Sequence, residues 1–288
     1  MADAPSAEER RRWLGTAEAR LTESLEFALG DRLRREGSRL ADGQRWIVIT
    51  AYDLGAPCPA RWAHPPTVSD YVDSAANSAR RLGRLALRSW RPGRSLTVAV
   101  NGVLADTDDW PDDLRSWFET LDRAGRATVA AAAVSWAAGA LGAVRGRGDL
   151  SWSRSNQPYD VPGRAVRLSG SWDALAGSRR RPAALLVMSN AAPVSGRDDL
   201  AAGFQALVCG LGPKMVPERV RIGSAAAGTA RPVTITEALL DAAVDRIVEL
   251  VAFRADPDGA PARPGRWCAR CHLLEDCEEG MAAASAPE

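Results

Sequence analysis

Four of the five cysteines in this chain have a spacing that suits a metal or cluster site. Cys268, Cys271 and Cys277 lie close together near the C-terminal end, and Cys58 stands far upstream between two prolines. A Cys-x-x-Cys step lets both sulfurs face one metal centre, and a third thiol a few residues further on can join them. Cys58 would supply a fourth ligand and link the beginning of the domain to its end. The pattern predicts a four-iron, four-sulfur (4Fe–4S) cluster held by these four thiols.

Two other states of these cysteines stay open. A structural zinc site would use Cys268, Cys271 and Cys277 with either His272 or Cys58, because zinc takes four sulfur or nitrogen ligands in a tetrahedron. The thiols would otherwise remain reduced and metal-free, as cysteines in a protein core do. Disulfides are disfavoured, since the count of five is odd and no secretory signal pattern precedes the domain.

The composition excludes several classes of protein. Of the 288 residues, 46% are apolar, which is enough for a large core, and the formal net charge of +1 gives no overall attraction to nucleic acid. P-loop and dinucleotide-binding glycine motifs are absent, and the histidines are only His64 and His272, too few for a histidine-rich zinc hydrolase. The longest apolar run, residues 127–144, is rich in Ala and Gly and predicts a buried helix. We therefore expect a cytoplasmic protein without a membrane partner.

Hydrophobic periodicity and capping residues predict the elements that must position these thiols. Helices are predicted over residues 7–35 (interrupted near Gly30), 68–90, 112–123, 127–144, 198–211 and 236–253, and strands over residues 46–49, 95–103, 164–172, 184–188, 219–222 and 232–235. Residues 146–162 are predicted to be irregular. The fold class that follows is α/β, with a mixed central sheet flanked by helices and a helical N-terminal part. We divide the chain into an N-terminal helical extension (1–45), a main domain (46–280) and a disordered tail (281–288).

The order strand, strand, helix, strand, bracketed by Cys58 and the terminal Cys-x2-Cys-x5-Cys, resembles the RecB-like branch of the PD-(D/E)XK nuclease superfamily. It is similar in particular to the members that contain an iron–sulfur cluster. The resemblance covers residues 46–280 and implies a restriction-endonuclease-like core closed by a C-terminal iron–sulfur staple. In that family the first strand ends in Gly-x-x-Asp, whose Asp binds a divalent metal, and this sequence keeps the motif as Gly170-x-x-Asp173.

The remaining motifs of the family are degenerate here. The acidic-x-Lys motif of the second strand falls on Met188 and Asn190. The Gln-x3-Tyr motif of the following helix keeps Gln205 but replaces the tyrosine by Cys209, which we interpret as a core residue. An upstream helix of the family often supplies a metal-binding histidine after a glycine, and the matching segment here, residues 83–87, contains no histidine.

These replacements predict a nuclease fold without catalysis. Phosphodiester hydrolysis by this fold needs Mg²⁺ held by several carboxylate oxygens, and Asp173 would be alone beside a soft thioether at Met188. The only lysine, Lys214, lies beyond the predicted helix end. The alternative is an active metal-dependent nuclease whose catalytic residues have been relocated.

Basic side chains indicate where a partner could bind. A predicted helix carries arginines at successive i, i+4 positions, and a predicted turn carries three in a row; they are Arg80, Arg84, Arg88, Arg179, Arg180 and Arg181. Arginine suits phosphate contacts, so DNA is one expected partner; an ordinary solvated face is the other interpretation. Ten tryptophans favour a protein partner such as a helicase or another DNA-processing subunit. An interaction module with a structural zinc site stays open beside the DNA-binding protein.

Overall fold

The computed structural model describes residues 5–29, 47–64, 74–144, 150–178, 181–189, 197–265 and 267–285. The helices are α1 (Ala7–Leu29), α2 (Ala51–Leu54), α3 (Pro59–Ala63), α4 (Ala75–Ser89), α5 (Leu96–Ala105), α6 (Asp112–Glu119), α7 (Arg123–Gly142), α8 (Arg197–Leu211), α9 (Glu237–Ala255) and α10 (Glu278–Ala284). The strands are β1 (Ile47–Thr50), β2 (Leu150–Asp160), β3 (Val166–Ser178), β4 (Arg181–Ser189), β5 (Arg219–Ser224) and β6 (Thr229–Thr234).

The described strands form one mixed sheet organised around β3. β2 runs antiparallel along one edge of β3, from Leu150 opposite Ala176 to Asp160 opposite Arg167. The other edge of β3 is shared, because β1 pairs with its first residues in parallel and β4 pairs with its last residues antiparallel. The sheet continues through β5, parallel to β4, and ends at β6, antiparallel to β5.

Helices cover both faces of this sheet. Successive strand residues point to opposite faces, and the neighbours Leu185 and Leu186 of β4 accordingly belong to different clusters of buried side chains. The cluster that contains Leu185 is completed by α1, α8 and α9. The one that contains Leu186 is completed by α4 and α7, and α5 and α6 add a third cluster on those two helices. The predicted α/β class with a mixed sheet between helices is therefore confirmed.

Two predicted elements were wrong. Residues 95–103 form helix α5, not a strand: Val98 is 61% exposed while Val100 is 1% exposed, although a strand would place both on one face. Packing against α4 and α7 selects the helix over the local strand preference of valine. Residues 146–162 were expected to be irregular, but β2 occupies most of them as a strand with β3 on one side. A strand that pairs on one side only needs fewer apolar residues than a central one.

The ends of the chain also differ from the predicted division. Leu14, Leu21 and Leu25 of α1 are buried in the cluster shared with α8 and α9, so α1 belongs to the main core and is not an extension beside it. Residues 281–284 were assigned to a disordered tail but are part of α10. The capping residue Thr236 is confirmed, because its hydroxyl accepts a hydrogen bond from the backbone N–H of Leu239 at the start of α9.

Candidate metal centre

The four cysteines singled out from the sequence line one pocket. Cys58, Cys268, Cys271 and Cys277 face a space of about 330 Å³ that is partly open to solvent. Cys58 and Cys268 are buried, and the other two are half-buried. Cys209 lies elsewhere, fully buried in α8, where burial raises the pKa of its thiol far above the ordinary value. The fold therefore separates one core cysteine from four that share a site.

Local backbone structure presents Cys58 to this pocket. The carboxylate of Asp53 accepts a hydrogen bond of 2.7 Å from the backbone N–H of Thr50, so α2 begins directly where β1 ends. After one turn the chain reaches Cys58, which is the N-cap of α3 and precedes Pro59 at the first helical position. Pro is favoured there because that position has no intrahelical N–H bond to lose.

Two arginines of α9 hold the Cys58 segment from either side. The guanidinium of Arg246 donates to the backbone carbonyls of Leu54 and Ala56, at 3.2 Å each. Arg254 donates to the carbonyl of Trp62 at 3.2 Å, and its guanidinium lies 5.7 Å from the centre of the Trp62 ring. Sequence reasoning missed both arginines. Their only signal is two cations in a largely apolar helix, slightly more than two turns apart.

The other three cysteines lie on a series of tight turns. Short 3₁₀ helices span Cys268–Arg270 and Leu274–Asp276, and Cys277 is the N-cap of α10. The backbone N–H of Cys271 donates to the carbonyl of Cys268 at 2.9 Å, which folds the Cys-x-x-Cys step onto itself. Such turns repeatedly bring side chains back to the same side of a short segment, so that three thiols can share one pocket.

Backbone N–H groups point at three of the four sulfurs. Sγ of Cys58 accepts from the N–H of Arg263 at 3.4 Å, and Sγ of Cys268 accepts from that of Gly265 at 3.3 Å. Sγ of Cys277 accepts from the N–H of Gly280, also at 3.3 Å. A thiolate is a better acceptor than a thiol, and hydrogen bonds to the sulfurs of iron–sulfur clusters tune their reduction potential. A backbone N–H donor is therefore available to three of the four sulfurs.

Both histidines connect the two halves of the site through backbone carbonyls. Nε2 of His64 lies 3.2 Å from the carbonyl oxygen of Pro257, and Nε2 of His272 contacts the carbonyl oxygen of His64. The backbone N–H of Ala60 donates to the carbonyl of Pro261 at 3.3 Å. His272 is not among the residues that line the pocket, and Cys58 is. Of the two fourth ligands predicted for a zinc site, the structure therefore places Cys58 at the site.

The donor set can be compared with the two metal centres that were predicted. A tetrahedral zinc ion with bonds of about 2.3 Å needs sulfurs about 3.8 Å apart. Within the described ranges, no group of three or more His, Cys, Asp or Glu residues is arranged so that it could hold a metal ion. In a 4Fe–4S cluster each thiolate binds a different iron, so the four sulfurs surround a larger body. The lining of the pocket supplies four thiols and no carboxylate or imidazole, a donor set that suits either centre.

Charged side chains surround the pocket unevenly. Arg61 and Arg263 line it, and their guanidinium groups can offset the negative charge of four thiolates. On the side of Cys277 the exposed surface is acidic, with Glu275, Asp276, Glu278 and Glu279 in sequence around it. Sγ of Cys277 lies 3.8 Å from the carboxylate of Glu279. Negative charge beside a cluster disfavours its reduced form.

The remnant of the predicted nuclease site is a second, separate feature. Asp173 is 5% exposed; one of its carboxylate oxygens accepts a 2.7 Å hydrogen bond from the backbone N–H of Met188, and the other contacts Nε of Arg84. The Arg84 guanidinium also lies 5.6 Å from the centre of the Trp136 ring. Met188 is buried, and its sulfur fills the space that a side chain at Gly223 would need. The carboxylate of Asp173 is therefore held by a guanidinium and a backbone N–H.

The neighbouring motif residues have structural roles. The side-chain oxygen of Gln205 accepts a 2.9 Å hydrogen bond from the backbone N–H of Ser171, which ties α8 to β3. A Cβ at Gly170 would lie 2.9 Å from Val208 and 3.0 Å from the side-chain oxygen of Gln205, so glycine is required for this close approach. Asn190 lies outside the described residues.

The arginines predicted to contact phosphate do not form one free surface. Arg84 is half-buried against Asp173, so the prediction that it faces DNA was wrong. Arg80 is half-buried and already engaged in an interaction, whereas Arg88 is exposed. Arg179 and Arg180, and the side chain of Arg181, lie outside the described part of the chain.

Comparison of the sequence with protein-family models and with curated proteins found no match. Over the ranges that the structure describes, no helix combines the length and apolar character needed to cross a bilayer. The function therefore has to be inferred from the cysteine pocket and from the surroundings of Asp173.

Proposed function

We propose that this protein is a non-catalytic, RecB-like nuclease-fold protein that carries a 4Fe–4S cluster on Cys58, Cys268, Cys271 and Cys277. It acts as a DNA-binding or scaffolding component of a DNA-processing or defence complex in the cytoplasm. The observation that carries the proposal is that these four thiols line one pocket, although Cys58 is more than two hundred positions away from the other three in the sequence. The cluster supplies a covalent link between the two ends of the domain.

The order of elements supports the restriction-endonuclease-like core. β2, β3 and β4 form an antiparallel run, α8 crosses over, and β5 lies parallel to β4. The strand, strand, helix, strand order on which the resemblance rests corresponds to β3, β4, α8 and β5. Asp173 is on β3, Met188 on β4 and Gln205 on α8, so the three motif positions lie on three neighbouring elements.

The surroundings of Asp173 support a role without cleavage. A divalent cation in this position would need several oxygen ligands, and the groups that Asp173 contacts are the Arg84 guanidinium and the Met188 backbone N–H. The guanidinium already neutralises the carboxylate. We therefore assign to this fold a role in binding a partner, and not phosphodiester hydrolysis.

Iron and acid-labile sulfide content of the anaerobically purified protein tests the cluster. We expect about four irons and four sulfides per chain with a broad visible absorption band, and little of either in Cys58→Ser. Cys209→Ala is the matched control, because that thiol is remote from the pocket, and it should keep the wild-type iron content. One zinc per chain without sulfide would overturn the cluster in favour of the zinc alternative.

A further inference from the structure

Most described arginines are already engaged. Carboxylates pair with Arg20, Arg81, Arg84, Arg167, Arg231 and Arg246. Others cap backbone carbonyls, as Arg115 does at Thr107, Arg126 at Leu121 and Arg254 at Trp62. A near-neutral protein that neutralises its arginines in this way leaves few cations available to a partner. The exposed arginines without a carboxylate partner are therefore the candidates for contact with a binding partner.

Among the described residues, three exposed arginines without a carboxylate partner lie together at the C-terminal end of α4; among them, the guanidinium of Arg91 donates to the neighbouring backbone carbonyl of Trp90 at 3.1 Å. Arg88, Arg91 and Arg94 are exposed, and no carboxylate pairs with any of them in the part of the chain that the structure describes. The segment 88–98 that contains them has no acidic residue. The negative end of the α4 dipole would explain a cation at Arg88 but not those at Arg91 and Arg94, which follow the helix.

The backbone of this segment is held in one shape. The indole N–H of Trp90 donates to the carbonyl of Arg94 at 2.8 Å, and the backbone N–H of Arg94 donates to the carbonyl of Arg91 at 3.1 Å. Gly93 has φ of +87°, a conformation that glycine adopts without strain. A turn of this kind brings the Cα atoms of Arg91 and Arg94 within about 7 Å of each other. The two arginines are therefore carried by one turn, and the backbone that carries them needs little ordering on binding.

The position of this segment relates it to the degenerate site. Arg88 follows Arg84 by four residues on α4, about 6 Å along the helix axis. Arg84 turns inward to Asp173, while Arg88 is exposed to solvent. The three exposed arginines therefore begin one helical turn after Arg84 along the chain.

We propose that Arg88, Arg91 and Arg94 bind consecutive phosphates of a DNA backbone and are the principal DNA-contacting surface of the described chain. The inference rests on the DNA-binding role proposed above and gives it a location at the C-terminal end of α4. Guanidinium groups bind phosphate oxygens in a bidentate manner and contact no base edges in doing so. Binding should therefore be independent of base sequence and strongly dependent on salt.

Charge reversal tests the location. Arg88→Glu/Arg91→Glu/Arg94→Glu is compared with Arg11→Glu/Arg12→Glu/Arg123→Glu, whose three arginines are also exposed. Both triple variants lower the formal net charge of +1 by the same amount, because each substitution removes one cation and adds one anion. Affinity for fluorescein-labelled 20-base-pair DNA of two unrelated sequences is measured by anisotropy over a range of KCl concentrations, on cluster-loaded protein.

We expect the α4 variant to bind at least tenfold more weakly and to lose about three units from the slope of log K against log salt. The control variant should stay within about threefold of the wild type, since exposed charges beyond a Debye length are screened. Equal weakening by both variants would overturn the location while leaving the DNA-binding role in place. No binding by the wild type at low salt would overturn the role itself. Equally tight, salt-sensitive binding to anionic phosphatidylserine vesicles would overturn DNA as the partner. Unchanged iron content and circular dichroism establish that both variants are folded.

Discussion

Arg84 supplies the positive charge that Asp173 requires in its buried position. A carboxylate in a low-dielectric surrounding is costly unless an opposite charge and hydrogen bonds compensate it. Here the compensation comes from the guanidinium of Arg84 and the backbone N–H of Met188. In the family that the sequence resembles, a divalent cation would provide it. One residue on α4 therefore accounts both for the retained aspartate and for the proposed loss of cleavage.

Removing one partner of this pair should destabilise the protein strongly. We expect Asp173→Ala to lower the free energy of unfolding by about 3–5 kcal/mol, because it leaves the Arg84 guanidinium buried without its counter-charge. The double variant Asp173→Leu/Arg84→Met should recover much of this loss, since it removes both charges. Urea denaturation followed by circular dichroism measures both effects. If the single and double variants were equally unstable, the pairing would not be the cause.

The same residues predict a lack of nuclease activity. Supercoiled and single-stranded DNA should stay intact when incubated with the cluster-loaded protein in Mg²⁺ or Mn²⁺, because Asp173 is neutralised by Arg84 and is flanked by Met188. Gel electrophoresis of the substrate provides the measurement. Cleavage that persists in the wild type and disappears in Asp173→Asn would instead establish the relocated active site.

At the scale of elements, α9 is the helix that positions the four-cysteine pocket. Its core-facing side packs in the cluster of buried residues shared with α1 and α8, and Arg246 and Arg254 hold the segment 54–63 that contains Cys58. The loop after α9 then leads to the other three thiols. The geometry of the four-cysteine pocket therefore depends on a helix that contributes no cysteine to it.

Truncating one of these arginines should loosen the site without removing a ligand. We expect Arg254→Ala to lower the free energy of unfolding by about 1.5–3 kcal/mol, the value of hydrogen bonds from a charged donor, and to speed the loss of visible absorption in air. Arg123→Ala, an exposed arginine at the start of α7, is the control and should change neither. Bleaching rates and thermal unfolding give the two readings.

Close packing between α7 and β5 gives a prediction about two glycines. A Cβ at Gly139 would lie 1.8 Å from the backbone oxygen of Ala225, so Gly139→Ala must separate the helix from the sheet and should cost about 1–3 kcal/mol or more. Gly102 of α5 has open space around it, and Gly102→Ala should stabilise the protein by about 0.5–1 kcal/mol. Gly139→Ala should therefore lower the melting temperature and Gly102→Ala should raise it, although both substitutions add one methyl group. Shifts of the same sign would contradict the close packing at Gly139.

For the whole molecule, the proposed cluster would close a loop that contains nearly the entire sheet. Cys58 follows β1, and Cys268 comes after β6 and α9. In the chain-entropy description, a link across a loop of this length contributes about 5 kcal/mol by restricting the unfolded chain. Loss of the cluster should therefore destabilise the entire domain and not only the C-terminal turns.

Thiol alkylation after release of the cluster tests this closure. We expect iodoacetamide to modify Cys58, Cys268, Cys271 and Cys277 once iron has been removed by ferricyanide and a chelator, with a fall in melting temperature. Cys209 should stay unmodified until global unfolding, since burial both shields it and raises the pKa of its thiol. Mass spectrometry of the labelled peptides gives the pattern. Full labelling of all four thiols in protein as purified, with an unchanged melting temperature, would contradict a metal-bound site.

Local sequence patterns were sufficient for the elements with strong periodicity or capping. The helices over residues 197–211 and 237–255 and the strand over residues 219–224 were predicted close to their observed bounds, whereas the strand predicted to end at residue 172 continues to Ser178. The strand predicted at residues 95–103 failed because alternating valines favour a strand locally, whereas contacts with α4 and α7 favour a helix. β2 was missed because a polar strand gains its stability from pairing with β3, which no local pattern records.

The sequence by itself determined the chemistry that is available: clustered thiols, one retained aspartate, no second carboxylate in the degenerate motif and a single lysine. Only the tertiary structure decided which of these groups meet. It brought Cys58 to the C-terminal thiols, turned Arg84 inward to Asp173 and left Arg88, Arg91 and Arg94 exposed without a carboxylate partner among the described residues. The physical reason is the distance along the chain between the residues that make contact. Spacing along the chain fixes contacts within a turn or two, whereas contacts between distant segments depend on how helices and strands pack.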